Sequence, residues 1–191
     1  MNENILFTIT QVRRKKFDNS REFSSNSTLL KIFNAFVRSK LEYASVVWFP
    51  HYKCHIVNLE RVLRRFLKYL CFRTDGFYPS VGYSQIILLE RFAVQTLTQR
   101  SKVAKVIFLQ KLLNSMLDCP SLLAQINFHV NVRSYSSRQG SLFYNHTPRT
   151  NVLKYSPLQT MCRLGNYVNL HLDLFHTTVN ELRSLEYSDI S

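Results

Sequence analysis

The chain has 191 residues, 46% of them hydrophobic and 13% aromatic, which is enough apolar surface for a folded core and argues against wholesale disorder. Only 4 Gly and 5 Pro interrupt it, so long helices are favoured over a sandwich of many short strands. The formal net charge of +13 creates a positive field that attracts polyanions, with nucleic acid as the leading class of partner; a solvated basic surface without a dedicated ligand is the alternative.

Residues 1–25 form a polar, basic lead-in with little hydrophobic periodicity. Four successive cations lie within it: Arg13, Arg14, Lys15 and Lys16. Such a run predicts a contact with nucleic acid or a nuclear import signal, and a charged tail without either role is the alternative.

The first residues lack a basic segment followed by an apolar core, and no uncharged apolar run is long enough to span a bilayer. We therefore expect an intracellular protein with no membrane contact, for which a nuclear location is possible.

Residues 26–75 are predicted to form a pair of helices. Ser27 or Thr28 can cap the first helix, which we expect to continue until Pro50 stops it. Its apolar residues recur at helical spacing: Leu29, Ile32, Phe33, Phe36, Val37, Leu41, Ala44 and Val47. Tyr43 and Trp48 add large rings, so this helix has an aromatic face suited to packing against another protein surface.

The second helix of the pair has a basic face. Its cations fall at i, i+3, i+4 and i+7, and they are Arg61, Arg64, Arg65 and Lys68. Apolar residues occupy the opposite side: Ile56, Leu59, Val62, Leu63, Phe66 and Leu70. One face can therefore pack while the other meets phosphates, and we expect Ala substitutions of the four cations to leave stability nearly unchanged.

Residues 76–191 are predicted to form a further helical region. The Asp-Gly and Pro residues of Thr74–Ser80 indicate a loop, after which helices are expected at about Ser84–Arg91 and Thr98–Leu117. The longer of these two helices carries an apolar face that indicates a core helix, with these residues: Val103, Val106, Leu109, Leu112, Leu113 and Met116.

The last third of the chain mixes strand and helix signals. Ile126–Val132 alternates apolar and polar residues and can pair with Leu142–Tyr144, so residues 126–155 are predicted to be a loop or a short β-hairpin. Ser156 followed by Pro157 predicts a helix start, and the pair Thr178 and Glu181 predicts a capping box. The fold class is therefore mainly α.

No arrangement of residues indicates catalysis or a cofactor. Polymerases that use two metal ions need closely placed carboxylates, and the chain has no Asp-Asp pair. The cysteines are far apart, at Cys54, Cys71, Cys119 and Cys162. His51, Cys54 and His55 with Cys71 could in principle ligate zinc, but a partly buried thiol beside two surface histidines is the favoured interpretation. We expect no catalytic residue, no metal and no cofactor.

Several short stretches carry a family resemblance through their order and spacing. They are Leu41–Trp48 (LEYASVVW), Leu59–Val62 (LERV), Arg64–Leu67 (RRFL), Phe108–Leu113 (FLQKLL), Asp118–Pro120 (DCP), Ile126–Phe128 (INF) and Ser156–Leu158 (SPL). Together they resemble the region just after the polymerase palm in LINE-type, jockey-like non-LTR retrotransposon reverse transcriptases, from about Ser27 to Leu185. The aromatic-x-Asp-Asp motif of that family is absent from this chain.

This resemblance implies a thumb-like helical unit at 26–75, a C-terminal extension at 76–191, and an RNA or DNA template-primer as partner. It implies a non-catalytic nucleic-acid-binding fragment of an RNA-directed DNA polymerase, whose aromatic helix face would contact the missing palm or another protein. The alternative is a protein-interaction module, or a retroelement remnant with no selected function.

Overall fold

Helices dominate the computed structural model, which describes residues 25–80, 82–129, 141–145 and 147–184. The mainly α prediction is confirmed. The helical elements are α1 Asn26–Phe33, a π-helical segment Asn34–Arg38, α2 Ser39–Glu42, α3 Ser45–Trp48, α4 Lys53–Asp75, α5 Gln85–Arg91, α6 Leu97–Leu113, α7 Pro120–Leu123, α8 Asn151–Lys154, α9 Pro157–Asn169 and α10 Val179–Ser184. Within the described ranges, none of these helices combines the length and the apolar character needed to cross a membrane.

The chain divides into two compact units. The first combines residues up to Tyr43 with Val57–Val94, and the second combines Ala44–Ile56 with the residues from Gln95 onward. This division differs from the predicted one at residue 75, since residues 76–94 cluster with α1, α2 and most of α4.

The first predicted helix is broken well before Pro50. It begins at Asn26, with Ser25 in the N-cap position and no side-chain cap bond, so the predicted cap at Ser27 or Thr28 is wrong. The helix widens into the π-helical segment and ends at Glu42. Ala44 then takes a left-handed conformation, with φ of 51°, which an α-helix cannot accommodate. Apolar periodicity continues across this break, so spacing alone gave no sign of it.

The core of the first unit joins α1 to α4. The rings of Phe33 and Phe66 stack with centroids 3.9 Å apart and planes 7° apart. The predicted apolar side of α4 is largely confirmed: Leu59, Leu63, Phe66 and Leu70 are buried, and Ile56 and Val62 are half-buried. Leu67 and Cys71 complete the buried side of this helix.

The core of the second unit forms around α6, as the sequence predicts. Its buried members are Val103, Val106, Leu109, Leu112, Ile126, Phe143, Met161, Cys162, Leu164, Val168, Leu174 and Leu182. Thr96 caps α6 by accepting a hydrogen bond of 3.0 Å from the backbone N–H of Gln99. The helix ends at Leu113, four residues earlier than predicted, and Met116 is 70% exposed, so its predicted place in the core is wrong.

The predicted β-hairpin is not confirmed. Between residues 126–129 and 141–145, the described structure has a single antiparallel bridge, which pairs Phe128 with Phe143. Residues 130–140, which would complete the hairpin, lie outside the described part. The side chain of Asn166 in α9 forms two hydrogen bonds with the backbone of Phe143. Its Oδ1 accepts from the Phe143 N–H at 2.7 Å, and its Nδ2 donates to the Phe143 carbonyl at 2.9 Å.

Both predicted helix starts near the C-terminal end are confirmed. Ser156 Oγ accepts from the N–H of Gln159 at 3.4 Å, and Pro157 is the first residue of α9. Glu181 accepts from the N–H of Thr178 at 2.7 Å, while Thr178 Oγ1 accepts from the N–H of Glu181 at 3.4 Å. This reciprocal pair is the capping box.

Candidate nucleic-acid interface

The helix α4 presents its cations on the side opposite its buried leucines. Arg61 and Arg65 are exposed and stand one helical turn apart. Within the part of the chain that the structure describes, neither guanidinium has a hydrogen bond or an ion pair with another residue. Their hydrogen-bonding capacity is therefore available to a ligand.

The other two predicted cations contact the loop that follows α4. Arg64 Nη2 donates to the carbonyl of Tyr83 at 2.7 Å. Lys68 Nζ donates to the carbonyl of Ser80 at 2.9 Å and to that of Pro79 at 3.3 Å. Both side chains are half-buried, and Arg64 Nε is buried without a partner among the described residues. For Arg64 this contact argues against the expectation that all four cations can be replaced without loss of stability, because Arg64→Ala would remove the donor to the Tyr83 carbonyl.

Exposed aromatic rings adjoin this cationic face. Phe72 lies on the same side of α4 as Arg65 and Lys68 and is 46% exposed. Phe77 and Tyr78, in the following loop, are 65% and 56% exposed. The rings of Phe72 and Tyr78 have centroids 6.5 Å apart, and Lys68 Nζ lies 5.7 Å from the centre of the Tyr78 ring. We call this set the α4 surface: Arg61, Arg65, Lys68, Phe72, Phe77 and Tyr78.

The loop is also held at its start. Arg91 of α5 donates twice to the carboxylate of Asp75, each bond being 2.6 Å long. The Arg91 hydrogen bond lowers the pKa of Asp75 below its ordinary value. Gly76 follows with φ of 76°, a conformation that favours glycine. This ion pair neutralises the one carboxylate at the end of α4 and fixes the base of the loop.

Helical spacing predicts which residues form the cationic side of α4, but not which of them face solvent and which contact the loop. Arg61, Arg64, Arg65 and Lys68 do lie on one side of a continuous helix. Which of them meet solvent depends on where the loop folds back, and helical spacing carries no information on that. The sequence signal for the aromatic part was the pair Phe77 and Tyr78 directly after the Asp-Gly turn.

The remaining predicted sites fall elsewhere. Arg13, Arg14, Lys15 and Lys16 lie outside the described residues. Among the possible zinc ligands, Cys54 is exposed and Cys71 is buried, while the His51 ring stacks on Tyr155. In residues 25–184, leaving aside the undescribed positions, no three His, Cys, Asp or Glu side chains converge as a metal site would require.

Comparison with known proteins adds no relative. No protein-family model matches the chain, and neither the curated proteins nor the solved structures include a match. The case for a ligand therefore rests on the side chains of α4 and of the loop that follows it.

Proposed function

We propose that this chain is a non-catalytic nucleic-acid-binding fragment of a LINE-type, retrotransposon-derived reverse transcriptase, and that it contacts an RNA or DNA template-primer through the α4 surface. The observation that carries this proposal is the exposed pair Arg61 and Arg65, whose guanidinium groups have no partner among the described residues. The net charge of +13 supports the same class of ligand. The short stretches that resemble the reverse-transcriptase family support the origin.

Binding at this surface would combine phosphate contacts with stacking. A guanidinium presents its N–H groups in a planar fork that matches two phosphate oxygens. Arg61 and Arg65 would take such phosphates, while the rings of Phe72, Phe77 and Tyr78 would stack on unpaired bases. Phosphate contacts carry no sequence information, so affinity should depend strongly on salt and weakly on sequence.

The proposal excludes polymerase activity. Phosphoryl transfer to a primer needs carboxylates that hold two metal ions, and the sequence contains no Asp-Asp pair. We expect no primer extension by this chain in the presence of magnesium and nucleotides. Extension that requires magnesium would contradict the proposal.

The test compares two charge-matched double variants. Arg61→Ala/Arg65→Ala removes two exposed cations from the α4 surface, and Lys31→Ala/Lys40→Ala removes two exposed cations from α1 and α2. Titrations against duplex, single-stranded and RNA–DNA hybrid oligonucleotides at several salt concentrations give affinity and salt slope. Each lost phosphate contact lowers the duplex slope by about 0.9, so the α4 variant should lose about two units.

The control variant should keep the wild-type salt slope. If the α4 variant also keeps its affinity and slope on all three ligands, α4 is not the binding surface. A protein-interaction module or an inert remnant would then account for the chain better.

A further inference from the structure

A second group of cations lies wholly within the second unit. Lys102 and Lys105 are on α6, Lys154 ends α8, and Arg163 is on α9. The helix α9 packs against both α6 and α8, and the charges of Arg163 and Lys102 act on Lys105. Arg163 Nη2 donates to the backbone carbonyl of Lys154 at 3.2 Å, so the guanidinium is anchored at the end of α8.

Aromatic rings line the same group. Lys105 Nζ lies 5.9 Å from the centre of the Phe49 ring, and Lys154 Nζ lies 5.3 Å from that of Tyr155. Tyr155 stacks on His51 at 4.1 Å with planes 10° apart, and His51 contacts Tyr52 at 4.0 Å. The contacts thus run from Lys154 through Tyr155 and His51 to Tyr52, whose ring is 57% exposed.

Among the described residues, no carboxylate offsets the positive charge around Lys105. Burial lowers the pKa of Lys105, and the nearby charges of Arg163 and Lys102 lower it further, with no carboxylate acting in the opposite direction. In the described part of the second unit the acidic side chains are engaged or exposed elsewhere: Asp173 bonds His176, Glu181 bonds the Thr178 N–H, and Asp118 is exposed. An anion beside Lys105 would stabilise both the lysine and its neighbours.

We infer that Lys105, Lys154 and Arg163 bind a phosphate of single-stranded nucleic acid and that the adjoining base stacks on Tyr52; we call this site the Lys105 cluster. The cluster is defined by Lys105, Lys154 and Arg163 with the rings of Phe49, His51, Tyr52 and Tyr155. The inference rests on the proposed function for its ligand class, and it adds a second contact surface and a preference for unpaired nucleotides. Stacking requires a free base face, which a duplex does not offer.

The charge test uses variants with equal loss of positive charge. Lys105→Met/Arg163→Gln removes two cations of the cluster, whereas Lys111→Met/Arg183→Gln removes two exposed cations of the same unit. With a short oligothymidylate as probe, the cluster variant should bind about tenfold more weakly, with a salt slope lower by about 0.7 for each lost phosphate contact. The control should resemble wild type. Equal affinity and slope in the two variants would overturn the inference.

The stacking test does not depend on a buried residue. Tyr52→Ala changes an exposed ring, so it should fold even if the double variant does not. We expect it to weaken oligothymidylate binding about tenfold. It should leave unchanged the binding of an abasic strand of equal length and charge. An equal effect on both strands, or no effect on either, would overturn the inference.

The Arg61→Ala/Arg65→Ala variant separates this inference from the proposed function. If only that variant loses oligothymidylate affinity, the Lys105 cluster is not a binding site and the proposed function stands. If only the cluster variant loses affinity, the inference stands and the α4 surface does not bind this single-stranded probe. If neither loses affinity, the inference is wrong, and the duplex and hybrid titrations decide the α4 assignment.

Discussion

Arg64 and Arg65 are adjacent in sequence and carry the same group, yet they do different things. Arg64 donates to the Tyr83 carbonyl from a half-buried position, while Arg65 is exposed. The difference comes from their angular positions on α4, which are about 100° apart. This basic run therefore contains both a member that contacts the fold and a member that faces solvent.

Replacing Arg64 and replacing Arg65 should have different effects on stability. We expect Arg64→Ala to lower the free energy of unfolding by about 1–3 kcal/mol, because the Tyr83 carbonyl loses its donor. Arg65→Ala should change it by no more than about 0.5 kcal/mol. Urea unfolding monitored by circular dichroism measures both values. Equal values would show that the loop contact does not contribute.

Gly165 lies where any larger side chain would overlap its neighbours in the core. A Cβ at this position would lie 2.7 Å from Phe143 Cε2 and 2.8 Å from Leu109 Cδ2, inside contact distance. We expect Gly165→Ala to destabilise the fold by about 1–3 kcal/mol through this overlap, despite a gain in helix propensity of about 1 kcal/mol.

The double variant Gly165→Ala/Phe143→Leu checks that cause. The smaller side chain at 143 makes room for the new methyl group, so the two losses of unfolding free energy should be less than additive. Strict additivity would place the strain of Gly165→Ala somewhere other than the Phe143 ring.

Helix starts that depend only on neighbouring residues could be predicted from the sequence. The start of α9 and the capping box of α10 depend on neighbouring residues only, and both are confirmed. The break at Ala44 depends on a backbone conformation that no spacing encodes. The hydrogen bonds between Asn166 and the Phe143 backbone join residues 23 apart in sequence, so no local pattern could predict them.

The contact between α1 and α4 centres on one aromatic pair. Phe66 is buried and stacks on Phe33, so Phe66→Ala should cost about 3–5 kcal/mol of unfolding free energy. Phe66→Leu retains most of the volume and should cost clearly less. Thermal and urea unfolding distinguish the two variants, and a loss below about 1 kcal/mol for Phe66→Ala would contradict the central place of this ring.

For the candidate site, the sequence predicted the helix and its cations, but not the loop that folds back on them. The carbonyls of Pro79, Ser80 and Tyr83 meet Lys68 and Arg64 through tertiary contacts. The Lys105 cluster could not be predicted from the sequence for a related reason. Its cations come from three helices, and no single stretch of sequence shows them together.

At the scale of the whole molecule, positive charge is the dominant property. With a net charge of +13, each carboxylate that is protonated in acid adds to the repulsion among the cations. Asp75 and Asp173 both have lowered pKa values, caused first by the Arg91 hydrogen bond and by the Phe175 N–H respectively. Such groups stabilise the fold above their unfolded-state pKa of about 3.9 and lose that contribution as pH falls through the lower folded-state pKa.

We therefore expect stability to be constant near neutral pH and to fall below about pH 4. Asp75→Asn removes one such group, so this variant should be less stable than wild type at pH 7 and should lose less stability on acidification. Unfolding free energies measured from pH 7 to strongly acidic conditions test both points. Parallel pH profiles for the variant and wild type would exclude Asp75 as a contributor.

If the α4 surface binds a ligand as we propose, the loop after α4 affects the entropy of that binding. Its backbone is fastened by Arg64, by Lys68 and by the pair Asp75 and Arg91 before any ligand arrives. Ordering a mobile loop on association subtracts from affinity, whereas a preorganised one avoids that loss. A partner that meets Phe77 and Tyr78 thus encounters rings whose supporting backbone is already in place, and the gain should appear as a longer residence time rather than as a faster encounter.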